Sequence, residues 1–102
     1  MKKIKEFLKK KNKSKIVCLT SFSKNIANIL DRYCDVILVG DSMANVLYGM
    51  DNTHKITINN MIQHSRSVRA GVKKALLTID MPKGTYDNIS AAKKNARLII
   101  NK

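Results

Sequence analysis

Tryptophan is absent from this chain, proline occurs once, and acidic residues are scarce. The 102 residues include 7 Asp+Glu, with Glu6 the only glutamate, against 20 Lys+Arg, which gives a net charge of +13. No apolar run approaches the ~20 residues of a membrane span, and the N-terminus lacks the apolar segment of a secretory signal. We therefore expect a cytoplasmic protein without a membrane partner, built as one small domain over residues 1–102.

The two cysteines, Cys18 and Cys34, are too few for a disulfide framework. Their spacing also differs from that of zinc-binding and redox-active motifs. Both residues lie in or next to predicted strands, so we expect buried free thiols.

The positive charge raises the question of a nucleic-acid partner. Eight of the twenty basic residues precede residue 16, and lysine outnumbers arginine. Base recognition favours arginine and RNA binding uses exposed aromatic rings, which make up only 5% of this chain. We expect a solvated lysine-rich surface and no specific nucleic-acid site. A basic α/β module that binds phosphate or RNA without specificity remains the alternative.

The hydropathy pattern predicts an N-terminal helix followed by three βα units. We expect the second helix and the last helix each to point an apolar face into the core. On the second helix this face comprises Ile26, Ala27, Ile29, Leu30 and Tyr33, and on the last helix it comprises Ala92, Ala96, Ile99 and Ile100. In chain order the predicted elements are a helix at about 3–11, a strand at 15–20, a helix capped by Ser21 or Ser23, a strand at 35–40, an irregular connection at 41–56 with a helical turn at 44–48, a helix from Thr57 to Gly71, a strand at 75–80 and a helix at 89–100.

Right-handed crossovers would place the three strands side by side, parallel and in sequential order. Three such strands form either a minimal open sheet or the first part of a (β/α)₈ TIM barrel, which typically needs ~250 residues. The fold class is therefore α/β, and both architectures remain open on the hydropathy pattern alone.

Two short apolar runs, residues 36–42 (VILVGDS) and 75–82 (ALLTIDMP), carry an aspartate at the end of the predicted strand. In α/β folds the carboxyl ends of parallel strands carry the ligand site. Asp41 and Asp80 next to the hydroxyl of Ser42 would form a hard-oxygen site suited to Mg²⁺. The simpler interpretation is that each aspartate caps the segment that follows it.

The two histidines differ in their expected positions. His64 lies on a predicted helix of the outer layer, and we expect it to have a structural role. His54 lies in the connection after the second strand, on the side of the expected ligand site.

These motifs resemble ketopantoate hydroxymethyltransferase, also called 3-methyl-2-oxobutanoate hydroxymethyltransferase. The resemblance runs collinearly through nearly the whole chain, and the VGDS and Asp-x-Pro segments at this separation are its most specific part. The matching residues are 37–42, Asn52-Thr53, Ile56-Thr57, Met61-Ile62, His64, Asp80-Met81-Pro82 and Gly84-Thr85-Tyr86.

The resemblance implies an incomplete (β/α)₈ barrel: an N-terminal helix and three βα units of a family that is usually a decamer. It implies transfer of a hydroxymethyl group from 5,10-methylenetetrahydrofolate to an α-keto acid, 3-methyl-2-oxobutanoate, in pantothenate synthesis. Asp41 and Asp80 would hold Mg²⁺, and Ser42 with both aspartates would bind the keto acid. The metal would polarise the 2-oxo group and stabilise the enolate that attacks the one-carbon donor.

The chain departs from the family pattern at several positions around this site. Phe22 replaces a tyrosine, Met43-Ala44-Asn45 replaces Leu-Gly-Met, His54-Lys55 replaces Leu-Pro, and Lys83 replaces an aromatic residue. These changes alter the expected pocket but remove no metal ligand. The family's Lys-x-Glu segment and its glutamate base lie beyond residue 102, so no catalytic residue is assigned and this chain alone is expected to be inactive.

A rival interpretation is another Mg²⁺-dependent barrel that acts on α-keto acids, such as the phosphoenolpyruvate mutase group. That group also resembles this chain in placing aspartates at strand ends around the metal. The chain is therefore interpreted as a transferase fragment, with this barrel and the basic module as alternatives.

Overall fold

A computed structural model describes residues 2–101, in which helices and parallel strands alternate. The elements are α1 (Lys2–Leu8), β1 (Cys18–Thr20), α2 (Lys24–Leu30), β2 (Val36–Val39), α3 (Met43–Val46), α4 (Ile58–Gly71), β3 (Leu76–Ile79) and α5 (Ile89–Ile100). None of the helices in this range combines the length and hydropathy needed to cross a lipid bilayer.

The three strands form one parallel sheet in the order β1-β2-β3. Leu19 pairs with Ile37 across the first ladder, and Val39 pairs with Ile79 across the second. The predicted α/β class and the sequential parallel order are therefore confirmed. Within residues 2–101, β2 is the only strand with a neighbour on each side, which explains why Ile37 and Val39 are fully buried.

The core lies between this sheet and the pair of helices α2 and α4. Ala27 of α2 and Met61 and Val68 of α4 are completely buried there. The two helices approach so closely that a Cβ atom added at Gly71 would lie 2.4 Å from the backbone oxygen of Lys24. As predicted, Thr57 caps α4, through a reciprocal capping box with Asn60, and Gly71 is the last residue of the helix.

A buried carboxylate links helix α2 to the segment just before β3. Asp31, at the end of α2, accepts hydrogen bonds from the backbone N–H groups of Lys73, Lys74 and Ala75 at 2.8–3.0 Å. Burial raises the pKa of the Asp31 carboxyl, but these amide donors outweigh burial and hold it below its ordinary value. The side chain therefore connects α2 to the turn that leads into β3.

The first strand is shorter than predicted, beginning at Cys18 instead of residue 15. Asp35 is the physical reason, because its carboxylate accepts from the backbone N–H of Val17 at 2.9 Å and replaces a ladder bond there. The same carboxylate pairs with Lys10, in the turn after α1, which ends at Leu8 and not near residue 11. The pKa of Asp35 is lowered by these contacts, mainly by the hydrogen bond with Lys10 and to a smaller extent by the Val17 amide.

Several residues expected inside the core are exposed. Cys18 is exposed because β1 is an edge strand in the described part of the chain, whereas Cys34 is buried as expected. On α2 the small residue Ala27 makes the close contact with α4. The larger side chains that were predicted to face inward, Ile26, Ile29 and Tyr33, are 50–70% exposed.

The last helix is only loosely covered. Its predicted bounds, 89–100, are confirmed, but none of its residues is fully buried. Ala92, Ala96 and Ile99 are half-buried as its inner face, while Ile100 is 80% exposed and was wrongly assigned to the core. Within the described chain, β3 has no strand neighbour on the side away from β2.

Candidate functional site

The two predicted aspartates meet at one edge of the sheet. β2 ends at Val39 and β3 ends at Ile79, which are register partners, and the backbone N–H of Asp80 donates to the oxygen of Val39 at 3.0 Å. In turn the backbone N–H of Asp41 donates to Oδ2 of Asp80 at 3.1 Å. The carboxyl ends of both strands therefore bring together residues that are 39 positions apart.

Gly40 opens a small polar corner between these residues. A Cβ atom at this position would lie 3.2 Å from Oγ of Ser42 and 3.4 Å from Oδ2 of Asp80. The hydroxyl and carboxylate oxygens thus face the same space beside the glycine. Gly40 itself is buried, and a methyl group of Leu38, 3.7 Å from the same Cβ position, bounds this space.

Ser42 is the N-cap residue of α3, but its side chain makes no capping hydrogen bond. The next helix after Asp80 is capped by Asn88, whose side chain accepts from Ala91 N–H. Neither aspartate therefore caps the segment that follows it. The simpler interpretation of this pair is wrong, and the predicted placement at strand ends is confirmed.

The end of β1 lies on the same edge of the sheet. The backbone N–H of Ser21 donates to the oxygen of Leu38 at 3.0 Å, which extends the β1–β2 pairing by one residue. The Ser21 side chain is buried and donates from Oγ to the oxygen of Ser23 at 3.2 Å. This hydroxyl stabilises the turn into α2.

The histidines occupy different environments. The half-buried ring of His64 contacts the backbone oxygen of Phe22 through Nδ1, at 3.0 Å, and the hydroxyl of Tyr48 through Nε2, at 2.7 Å. His54 is exposed, and its backbone N–H donates to Oδ1 of Asn52 at 3.0 Å. The sequence assigned His64 to the outer layer but gave no sign of Tyr48, since a contact between a loop and a helix has no periodic spacing.

The loop after Asp80 is fixed by α5. Oγ1 of Thr85 donates to the oxygen of Pro82 at 2.6 Å, and Nδ2 of Asn95 donates to the oxygen of Thr85 at 2.7 Å. Pro82 is buried, whereas Lys83, one of the departures from the family pattern, is exposed. Asn95 is a further residue that the sequence did not single out.

Whether this edge suits a magnesium ion depends on its donor set. Asp41, Ser42 and Asp80 supply the hard oxygen atoms that Mg²⁺ prefers. In the range 2–101 no group of three or more His, Cys, Asp or Glu side chains lies close enough together to hold a metal ion. Magnesium sites commonly use one or two carboxylates together with water and substrate oxygens, so the pair fits an ion that is shared with a substrate.

Known proteins resemble this chain over most of its length. The profile of the family described as ketopantoate hydroxymethyltransferase matches residues 1–102. The 3-methyl-2-oxobutanoate hydroxymethyltransferase of Pelagibacter ubique is 57% identical over 101 residues, which cover 99% of this chain and 39% of that relative. The enzyme of the same name from Chelativorans sp. is 45% identical over 82 residues, covering 80% of this chain and 29% of its own length.

A third relative, from Agrobacterium fabrum and of the same name, is 49% identical over 76 residues, covering 74% of this chain and 27% of its own length. The chain thus spans about two fifths or less of each of these relatives, and it matches the N-terminal part of the Pelagibacter ubique enzyme. With a family profile matched along its entire length and 57% identity to one member, the chain belongs to the ketopantoate hydroxymethyltransferase family.

Proposed function

We propose that this chain contributes the metal-binding and keto-acid-binding part of a ketopantoate hydroxymethyltransferase site. The reaction would transfer a hydroxymethyl group from 5,10-methylenetetrahydrofolate to 3-methyl-2-oxobutanoate in pantothenate biosynthesis. The observation that carries the proposal is the hydrogen bond from Asp41 N–H to Oδ2 of Asp80, with Ser42 at the same corner. It supports a ligand site because it joins the carboxyl ends of β2 and β3 at the point where Asp41, Ser42 and Asp80 come together.

The residues at this corner would have different roles. Asp41 and Asp80 would hold Mg²⁺, and the hydroxyl of Ser42, which caps no helix, would bind the carboxylate of the keto acid. A bound Mg²⁺ would supply Lewis-acid polarisation of the 2-oxo group and lower the barrier to loss of the neighbouring proton. Gly40 would leave room for the oxygens of Ser42 and Asp80 in these positions, because a Cβ atom here would crowd them.

The general base is not among the residues of this corner. Proton abstraction needs a base within ~3 Å of the carbon-bound hydrogen. Asp31 and Asp35 lie at the opposite ends of the strands, where backbone amides and Lys10 occupy them, and the single glutamate, Glu6, is on α1. We therefore infer that these residues alone do not turn over substrate, because losing a general base typically costs about 10²–10⁴-fold in rate.

We also propose that the three parallel strands are part of a (β/α)₈ barrel. In the described range β1 and β3 are paired on one side only, and apolar strand edges of this kind need a partner. Closure of a barrel would supply one and would place the base at the same rim. A homo-oligomer, a decamer in the complete family, and a cytoplasmic location complete the proposal.

The alternatives carry less support. A barrel of the phosphoenolpyruvate mutase type would share aspartates at strand ends, but the family profile and the three relatives all carry the hydroxymethyltransferase name. A basic module that binds phosphate or RNA would rest on charge alone. The polar corner at Gly40 favours a small ligand.

The test measures the binding of Mg²⁺, and of 3-methyl-2-oxobutanoate in its presence, by isothermal titration calorimetry. We expect Asp80→Ala to weaken Mg²⁺ binding by at least about ten-fold, since one of two carboxylate ligands is lost. Asp87→Ala, in an exposed position of the same loop, is the matched control and should bind as the wild type does. An unchanged Mg²⁺ affinity in Asp80→Ala would remove the assignment of Asp80 as a ligand.

A further inference from the structure

His64 is the point at which helix α4 contacts both loops beside the candidate site. Its Nδ1 lies 3.0 Å from the backbone oxygen of Phe22, in the loop after β1. Its Nε2 lies 2.7 Å from the hydroxyl of Tyr48, just after α3. One side chain therefore connects three segments that are distant in sequence.

These partners define the tautomer of the ring. The backbone oxygen of Phe22 can only accept a hydrogen bond, so Nδ1 of His64 must carry the proton. Nε2 of the neutral ring then accepts from the hydroxyl of Tyr48, whose ring meets the imidazole edge-on with centroids 6.0 Å apart. The opposite tautomer would set a lone pair of Nδ1 against the Phe22 oxygen.

Tyr48 is coupled to Ser42 through helix α3. This helix has only four residues and begins directly after Ser42, while the backbone N–H of Tyr48 donates to the oxygen of Met43 at 3.2 Å. A helix this short is not stable by itself and takes its orientation from its anchors. Buried Met43 and Ala44 hold its inner face, and the Tyr48 hydroxyl holds its far end.

Helix α4 provides a fixed point for these contacts. It has 14 residues and the Thr57 capping box, and it packs against α2 through the close approach at Gly71. Phe22, the other partner, directly follows Ser21, whose N–H pairs with β2. The hydrogen bonds of His64 therefore anchor both loops to the same rigid helix.

We propose that His64 is a positioning residue of the ligand site. As the Nδ1–H tautomer it holds the Phe22 oxygen and the Tyr48 hydroxyl, and by holding Tyr48 it fixes α3 and Ser42 beside Asp80. The identity of the ligand rests on the proposed function, whereas the connection from His64 to α3 can be tested without any ligand.

The first experiment is ¹⁵N NMR of the imidazole nitrogens of the isotope-labelled chain at mildly alkaline pH. We expect the signals of His64 to show a protonated Nδ1 and an unprotonated Nε2. Exposed His54 serves as the internal reference and should show the Nε2–H form that free histidine prefers. A His64 spectrum that matches that of His54 would overturn the proposal, whatever its cause.

The second experiment measures amide hydrogen exchange in Tyr48→Phe, which loses only the hydroxyl. We expect the amides of Leu47 and Tyr48, which both donate to Met43, to exchange about five- to ten-fold faster, a change typical of one lost hydrogen bond. The amide of Val68, in the buried part of α4, should keep its wild-type rate. Equal acceleration at all sites, or none at Leu47, would show that the hydroxyl does not position α3.

Two further variants isolate the pair. Tyr33→Phe removes the hydroxyl of an exposed tyrosine and should leave every rate unchanged. His64→Asn keeps a donor for Phe22 but cannot reach Tyr48, so it should accelerate the same two amides, and adding Tyr48→Phe should change them no further. Additive effects of the two substitutions would contradict a shared contact.

Keto-acid binding then separates this inference from the proposed function. In the presence of Mg²⁺ we expect Tyr48→Phe to weaken 3-methyl-2-oxobutanoate binding several-fold while Tyr33→Phe binds normally. Wild-type affinity in Tyr48→Phe would overturn the positioning role. A wild-type chain that binds no keto acid would count against the proposed function, and the tautomer and exchange rates would still decide whether His64 holds α3.

Discussion

The backbone N–H of Asp41 donates to Oδ2 of Asp80 across 39 positions of sequence. This bond uses only one oxygen of the Asp80 carboxylate. Its donor is a backbone amide just after β2, so the bond does not involve the carboxylate of Asp41. The side chain of Asp41 is thereby left for other partners. A single hydrogen bond thus arranges two carboxylates at one edge of the sheet without pairing them with each other.

Gly40→Ala should reduce ligand binding more than stability. The added Cβ would lie 3.2 Å from Oγ of Ser42, which must move by a few tenths of an ångström, and would touch Oδ2 of Asp80 at 3.4 Å. We expect keto-acid and Mg²⁺ affinity to fall by about ten-fold, or about 1.4 kcal/mol, with a small change in melting temperature. Calorimetric titration measures the affinities and thermal unfolding measures the melting temperature. Normal affinity would contradict a ligand site beside Gly40.

Asp31→Asn should destabilise the fold. The carboxylate accepts bonds from three backbone amides, and an asparagine would turn its own NH₂ group towards one of these donors. We expect a loss of about 2 kcal/mol in the free energy of unfolding, typical of charged hydrogen bonds in a buried site. Urea unfolding measures it, with exposed Asp51→Asn as the control, and equal stability of the two variants would contradict this role.

The stability of the chain should also fall in acid. The pKa values of Asp31 and Asp35 are both below the ordinary value of 3.8 in the folded chain. The contribution of these two carboxylates to the free energy of unfolding is therefore fully present above pH 3.8. It is lost as the pH falls from 3.8 through their lower pKa values in the folded chain. Unfolding curves recorded at decreasing pH should show this loss, and Asp31→Asn should show a smaller one.

Gly71→Ala should separate α2 from α4. Its Cβ would approach the Lys24 oxygen to 2.4 Å and the Asn28 nitrogen to 2.9 Å, and both are backbone atoms that cannot rotate away. We expect a destabilisation of about 1–3 kcal/mol by overpacking, despite the higher helix propensity of alanine. Ala70→Ser, at the exposed neighbouring position, should change the unfolding midpoint little. A stabilised Gly71→Ala variant would show that the helices have room to separate.

The order of the strands and the place of the aspartates could be predicted from the sequence because their signals are local. Apolar runs bounded by Gly40 and Pro82 identify the strands β2 and β3, and right-handed connections make their ends coincide. The capping of α4 by Thr57 is equally local, since its partner Asn60 is three residues away.

Features that depend on packing between distant segments could not be predicted. The apolar pattern of α2 does not tell that Ala27, and not Ile26 or Ile29, faces α4, because the close approach is set by Gly71 on the other helix. The acceptor role of Asp31 depends on amides 42–44 positions later in the chain. In such cases the partner, and not the residue type, decides the role.

The bond between Asp41 and Asp80 has a consequence for synthesis on the ribosome. The amide of Asp41 reaches its acceptor only after β3 has emerged and docked beside β2 in register. A nascent chain that ends before Asp80 therefore lacks the acceptor of this bond. Binding at the proposed site would begin only once the third strand has docked, and a bound ligand would then stabilise the docked state by mass action.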